Sequence, residues 1–154
     1  MAFNKSSIFS LSILALLSLW SATVVGQDLS PHLWKNRVLL IESSTEISDI
    51  YEKQLNVFND SIEGLIERKL VMYQLIGDKY KYTDFQNSDS KATWKPNTNT
   101  LDSYLESKDT FRVTLMGLDG GIKLEQNALL TIKQLFDLID SMPMRRLELR
   151  KQGN

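Results

Sequence analysis

The chain of 154 residues contains no cysteine and one histidine, His32. Without cysteine it cannot perform thiol–disulfide exchange or sulfur-based peroxide reduction, because both need a thiolate. With one histidine besides, only a carboxylate metal site stays open. A Ser–His–acid hydrolase would have His32 as its sole base, and no nucleophile is spaced against it, so it reads as a lone surface histidine. Charge of one sign is also lacking. Eighteen Lys and Arg face nineteen Asp and Glu, a formal −1, too balanced for nucleic acid or a broad anionic surface as partner. The strongly apolar run from Ile8 to Trp20 spans about 13 residues, short of the roughly 20 that cross a bilayer. There is no internal repeat, no second domain and no sign of a cofactor.

That apolar run has a context of its own. Lys5 is the only charge in the first 27 residues, and Ser21-Ala22-Thr23-Val24-Val25-Gly26 follows the run. A basic start, an apolar centre and a small-residue cleavage region make a signal peptide. Val24 and Gly26 suit the −3 and −1 positions, so residues 1–26 are expected to be removed. The absence of cysteine after the run excludes a lipid-anchored lipoprotein. The expected product is exported, periplasmic or secreted, with no membrane span after cleavage. It would carry 17 basic and 19 acidic residues, a formal −2. A domain of this size buries a core without disulfide staples.

Ser30 to Asn36 reads as a lead-in, with Trp34 packed on the domain edge. Arg37-Val38-Leu39-Leu40-Ile41-Glu42 has the continuous apolar centre of a strand buried on both faces. Ser43 and Glu46 have capping-box spacing. Ile47, Ile50, Tyr51, Leu55, Phe58, Ile62, Leu65 and Ile66 then form one helical apolar stripe, weakened at Gly64. Leu70 to Ile76 is a second strand, parallel to the first through a βαβ crossover. Asp78 to Thr100 is a polar, turn-rich connection, and Leu101 to Glu106 has the pattern of a short helix. Phe111 to Met116 and Ile122 to Leu124 flank Gly117-Leu118-Asp119-Gly120-Gly121, a hairpin turn whose glycines permit positive φ. Asn127 is expected to cap a last helix with Leu129, Ile132, Leu135, Phe136 and Ile139 inward, ending at Met142-Pro143. The order is β-α-β, a connection, then β-β-α: an α/β, thioredoxin-like mixed sheet covered by helices. The domain is placed at 33–149 and a C-terminal tail at 150–154.

Three segments resemble a family: Trp34 to Ile41, Gly117 to Leu124, and Leu138-Ile139-Asp140-Ser141-Met142-Pro143-Met144-Arg145-Arg146. In this order they resemble a thioredoxin-like domain of unknown function. It is shared by short exported bacterial proteins and by animal sushi-repeat-containing and equarin-type extracellular proteins. The resemblance implies a fold distantly related to peroxiredoxins and, through the animal members, a link to adhesion and extracellular matrix. It implies no catalytic mechanism.

In enzymes of this fold the reactive sulfur follows the first strand at a helix start, where free amides stabilise a thiolate. Here Thr45 and Ser48 have the Thr-x-x-Cys spacing of peroxiredoxins, with serine in place of cysteine. Thr110 stands where thioredoxins have a cis-proline. Helix capping is the plain role for these hydroxyls. Asp49, Glu52, Asp60 and Glu63 read as a solvated helix face rather than a metal site. Asp119-Gly120-Gly121 lacks the later ligands of a calcium loop. Tyr80, Tyr82 and Trp94, among lysines, are candidate contacts for a protein or sugar, or else an edge strand and a core cover. Arg145, Arg146, Arg150 and Lys151 form a basic patch that suits an acidic partner or polysaccharide, or a solvated tail complementing a helix dipole. Asn59-Asp60-Ser61 fits a glycosylation sequon within the helical stretch. The reading is an exported, non-catalytic binding or adhesion module, with a protein or polysaccharide outside the cytoplasm as partner. The alternatives are a sulfur-free enzyme built around Ser48, and an accessory subunit of an exported redox system.

Overall fold

The computed structural model describes residues 29–87, 92–97, 101 and 110–153. The signal peptide expected over residues 1–26 lies outside the described residues, as does the expected short helix apart from Leu101.

The continuous apolar run becomes the centre of the sheet. Strand β1 (Arg37–Ser43) is buried at every position, because it has a strand on each side and a packed layer on each face. Strand β2 (Leu70–Ile76) lies parallel to it, with Leu40 opposite Tyr73. Strand β3 (Lys79–Asp84) turns back antiparallel onto β2, and the short β4 (Lys95–Pro96) pairs with its start. On the other side of β1, strand β5 (Phe111–Met116) is antiparallel, with Leu40 opposite Thr114, and β6 (Ile122–Gln126) completes the sheet. The spatial order is β4-β3-β2-β1-β5-β6. Both tight turns use left-handed glycines: Gly77 has φ +56° and Gly120 has φ +75°, a region open to glycine without a Cβ penalty.

The helices depart from expectation in four places. Ser43 and Glu46 form no capping box. Ser43 closes β1, and its hydroxyl donates to the Thr45 carbonyl at 2.7 Å. Helix α1 (Asp49–Asn59) therefore starts after Ser48, leaving Ile47 outside the stripe at 90% exposure. The single long helix is two, broken at Asp60–Ser61. There the Asp60 amide donates to the Asn56 carbonyl and the Ser61 amide to the Phe58 carbonyl, and α2 (Ile62–Glu67) begins anew. Asn59-Asp60-Ser61 supplies the cause, since short polar side chains compete for backbone groups and favour helix ends. Helix α3 (Ile132–Ser141) is capped by Thr131 rather than Asn127. Thr131 Oγ1 accepts from the Gln134 amide while the Gln134 side chain accepts from the Thr131 amide. Pro143 ends α3 and opens α4 (Pro143–Gln152) at a position where its missing N–H costs nothing. Residues 150–152, expected in a tail, continue that helix.

Two cores flank the sheet. On one face Leu39, Ile41, Met72, Val113 and Leu115 meet Tyr51 and Phe58 of α1, Leu65 of α2, and Leu135 and Ile139 of α3. On the other, Val38, Leu40, Val71, Leu75 and Met116 meet Leu29 and Leu101, with Tyr73, Tyr80 and Tyr82 packed beside them. Each fully buried Leu, Ile or Phe contributes roughly 1.5–3 kcal/mol. Gly64 is a packing residue: a Cβ there would come within 2.5 Å of the Phe136 ring. Trp34 does not pack on the edge. It is 62% exposed with φ +61°, and its amide donates to the Leu118 carbonyl at 2.7 Å.

Candidate functional site

The junction of β1 and α1 holds the hydroxyls expected at the position of a redox sulfur. Thr45 is exposed; its Oγ1 accepts from the Ile47 amide at 3.2 Å, and its own amide points to Ser43 Oγ at 3.4 Å. Ser48 is the residue before the helix and is half-buried, yet its side chain makes no capping bond. Thr45 thus closes a local turn, while the Ser48 hydroxyl remains uncommitted to the helix. Beside the junction, Glu42 near the end of β1 is buried and pairs with Arg112 Nε at 3.0 Å across the strand pair, and Arg112 Nη1 reaches Glu125 at 3.4 Å. Asp49, Glu52, Asp60 and Glu63 are all exposed. Among the described residues no group of three acidic or histidine side chains is placed to hold a metal ion.

The candidate contact residues do not assemble into one surface. Tyr80 and Tyr82 lie on β3, opposite Leu75 and Tyr73, and belong to the second core face. They join an aromatic cluster with His32, whose Nε2 lies 2.8 Å from the Tyr73 hydroxyl and whose Nδ1 lies 3.3 Å from Asn36 Oδ1. The Tyr73 and Tyr82 rings are 4.9 Å apart, and His32 and Tyr82 5.7 Å. His32 is therefore half-buried and engaged, not a free surface histidine. Burial, with Asp84 nearby, pushes the Tyr82 phenol up. Strand alternation turns Lys81 to the opposite face from its tyrosine neighbours, and Trp94 sits with it, the ammonium 4.8 Å from the ring centroid.

The basic patch divides as well. Arg146 is exposed, but Arg145 is only 1% exposed. Its Nε meets Asp140 at 3.2 Å, its Nη1 the Glu67 carbonyl at 3.2 Å, and its Nη2 the Glu67 carboxylate. Asp140 also takes a two-point grip from Arg68, at 3.1 and 2.6 Å. Glu148 is shared by Arg37 and Lys69 at 3.4 Å and Arg145 at 3.5 Å. Burial works against the charge on Asp140, but the bonds from Arg68 and Arg145 override it and hold the carboxyl below its usual range. The Arg145 guanidinium likewise loses to burial but gains more from Asp140 and Glu67, so its pKa is raised. Arg37 behaves oppositely: burial outweighs Glu148 and lowers it. Arg145 is thus a structural cation tying α4 to α2 and α3, not a surface for a partner.

Residues 28–148 match the family model described as a domain of unknown function, DUF4174. The chain belongs to that family. The DUF4174 domain also resembles a solved structure, the reduced 2-Cys peroxiredoxin of Plasmodium vivax, at 10% identity and a TM-score of 0.53, over 79% of this chain and 84% of that one. At that identity the likeness is one of fold, and it establishes the thioredoxin-like architecture. The search of curated proteins gave no match.

Within this DUF4174 domain, three buried polar residues escaped sequence reasoning. Gln54 of α1 bonds both backbone groups of Leu130, at 2.9 and 2.7 Å, and so ties the helix to the segment before α3. Gln74 of β2 accepts from the Tyr51 hydroxyl at 2.6 Å. Arg37 is buried at the head of β1. Gln54 had a visible signal: it lies between Tyr51 and Phe58 on the apolar stripe, where a polar residue needs a partner.

Proposed function

We propose that this DUF4174 domain is a non-catalytic binding or adhesion module working outside the cytoplasm, in the periplasm or secreted, with a protein or polysaccharide as partner. One observation carries this reading. The scaffold is thioredoxin-like, but the chain has no cysteine; the Thr-x-x-Cys spacing sets Ser48 where the sulfur nucleophile would stand, with Thr45, closed into a turn, three residues before it. A serine hydroxyl is no redox nucleophile near neutral pH. Export is supported by the signal-like order of residues 1–26, and adhesion by the resemblance to sushi-repeat-containing and equarin-type extracellular proteins. The test has two arms. Expression of the full chain in an exporting host, followed by mass spectrometry, should find a product beginning at Gln27. The purified product should bind a cell-surface fraction or glycan, and Ser48→Ala should leave that binding intact.

The uncommitted Ser48 hydroxyl favours a second reading, an enzyme without sulfur on the same scaffold. Under it Ser48→Ala abolishes turnover of a substrate found by activity screening, while stability changes little. An accessory role in an exported redox system would show as co-purification with a cysteine-bearing oxidoreductase.

A further inference from the structure

Among the described residues the arginine lattice is one negative charge short. Arg37, Arg68, Lys69 and Arg145 are held by Glu67, Asp140 and Glu148: four cations against three carboxylates. The deficit falls on Arg37. Arg68 and Arg145 have acceptors along both edges of their guanidinium groups. Among the described residues Arg37 engages only through Nη1, to the Arg68 carbonyl at 2.9 Å and to Glu148, which it shares with two other cations. Its Nε and Nη2 are buried and have no acceptor among the described residues. An unmet buried donor is costly, and native structures avoid it unless the group has a use. Nε and Nη2 form the parallel edge of the guanidinium that grips a carboxylate at two points.

Arg37 also lines a pocket of about 270 Å³ between the β5–β6 turn and the corner where α3 meets α4. Leu118, Met142, Pro143 and Met144 form its apolar wall, and Lys123 its second cation. The acid there, Asp119, is engaged by Lys123 at 2.7 Å and by the Gly121 amide at 3.1 Å. Those bonds hold its carboxyl below the usual range, so it stays charged and leaves the Arg37 end positive. The volume lies just under the usual range for ligand sites, which limits the occupant to a small molecule or a single terminal residue. Met144 is 44% exposed, and its flexible side chain can yield to an incoming group.

We propose that this pocket binds a small monocarboxylate with a short apolar tail, the carboxylate at the cationic end lined by Arg37 and Lys123 and the tail against Leu118, Met142 and Met144. This goes beyond the module reading and stands whether or not the domain docks a larger partner. Phenylacetate and isovalerate, titrated into the 15N-labelled full-length protein, are the probes. The expected result is saturable shifts of the Gly117, Leu118, Lys123 and Met144 amides, with phenylacetamide binding at least about tenfold more weakly. Arg37→Gln should abolish the shifts. Should that variant not fold, Met144→Trp at an exposed wall position fills the pocket and should weaken binding by about tenfold or more. The same chemistry can come from a free acid or a peptide C-terminus: isovalerate binding more tightly than N-acetyl-leucine assigns the free acid, and the reverse order assigns the terminus. Equal binding of amide and acid, shifts confined to other residues, or none at roughly 20 mM ligand overturns the proposal.

Discussion

The two adjacent arginines of α4 make a sharp test of how the lattice works. Arg145→Ala removes a side chain that is 1% exposed, with its bonds to Asp140, the Glu67 carbonyl and the Glu67 carboxylate. Breaking a buried ion pair from one side costs about 3–5 kcal/mol when the orphaned partner stays buried. Here the orphans are partly wet: the Glu67 side chain is 51% and that of Asp140 36% exposed. Asp140 also keeps its two bonds from Arg68. What is lost outright is the bond to the Glu67 carbonyl and the packing of the arginine stem. The discounted expectation is a loss of about 2–3 kcal/mol. Arg146→Ala, one residue along and exposed, should change stability by less than about 0.5 kcal/mol. Urea denaturation of both variants, compared at unchanged m-value, reads the difference directly.

Acid supplies an independent readout. The Asp140 carboxyl is held below its usual range, so its contribution is fully present above the unfolded-state value of about 3.9. It is lost as pH falls through the lower folded-state value. The penalty of Arg145→Ala should therefore be full at neutral pH and shrink in strong acid. Equal effects of the two alanine variants, or a penalty for Arg145→Ala that does not fall with pH, would refute the structural reading of Arg145.

Gly64→Ala should destabilise the domain by about 1–2 kcal/mol, although alanine is the better helix former by about 1 kcal/mol, because the new Cβ meets the Phe136 ring; thermal unfolding would show the sign. Gln54→Leu strips both partners from the buried backbone of Leu130 and should cost about 2–4 kcal/mol by urea denaturation, far more than the same change at exposed Gln134. Burial, with Glu46 nearby, pushes the Tyr51 phenol up to about 12. Phenolate absorbance should accordingly show a late-titrating tyrosine, besides the raised Tyr82, that Tyr51→Phe removes. Stability drawn from that protonated phenol is present below the ordinary pKa of about 10 and is lost as pH rises towards the folded value.

What could be read from the sequence was what depends on neighbours in the chain. Val38-Leu39-Leu40-Ile41 is apolar at every position and became the fully buried β1. The glycines of 117–121 fixed the β5–β6 turn. The βαβ order required β1 and β2 to be parallel, and they are. Misplacements occurred where two local signals competed. Ser43 to Ser48 offers several capping residues, and the strand claimed Ser43 because its hydroxyl could close the turn to Thr45. Asn127 lost to Thr131 because only Thr131 has Gln134 three residues on to complete the reciprocal pair. The polar interior was hidden for another reason. Arg145 meets Glu67 across 78 positions and Gln54 meets Leu130 across 76, and no periodicity reveals which distant carboxylate or amide will arrive.

That hidden layer changes the meaning of the segment from Leu138 to Arg146. Read as sequence, its paired arginines suggest a surface for an acidic partner. In the fold, Asp140 and Arg145 face each other across the α3–α4 corner and bind α2 to both helices. Pro143 sets the corner by ending one helix and starting the next. Most of the segment thus builds the joint rather than contacting a ligand. Its exceptions are Met142, Pro143 and Met144, which line the pocket at Arg37. A joint held by charged bonds is a suitable backing for a small site, because it fixes the α3–α4 corner before a ligand enters and leaves only the Met144 side chain to adapt. Loosening the joint with Asp140→Asn, which leaves every pocket-lining residue in place, should therefore weaken carboxylate binding as well as stability. Binding unchanged in a destabilised Asp140→Asn variant would separate the two and confine the lattice to a purely structural role.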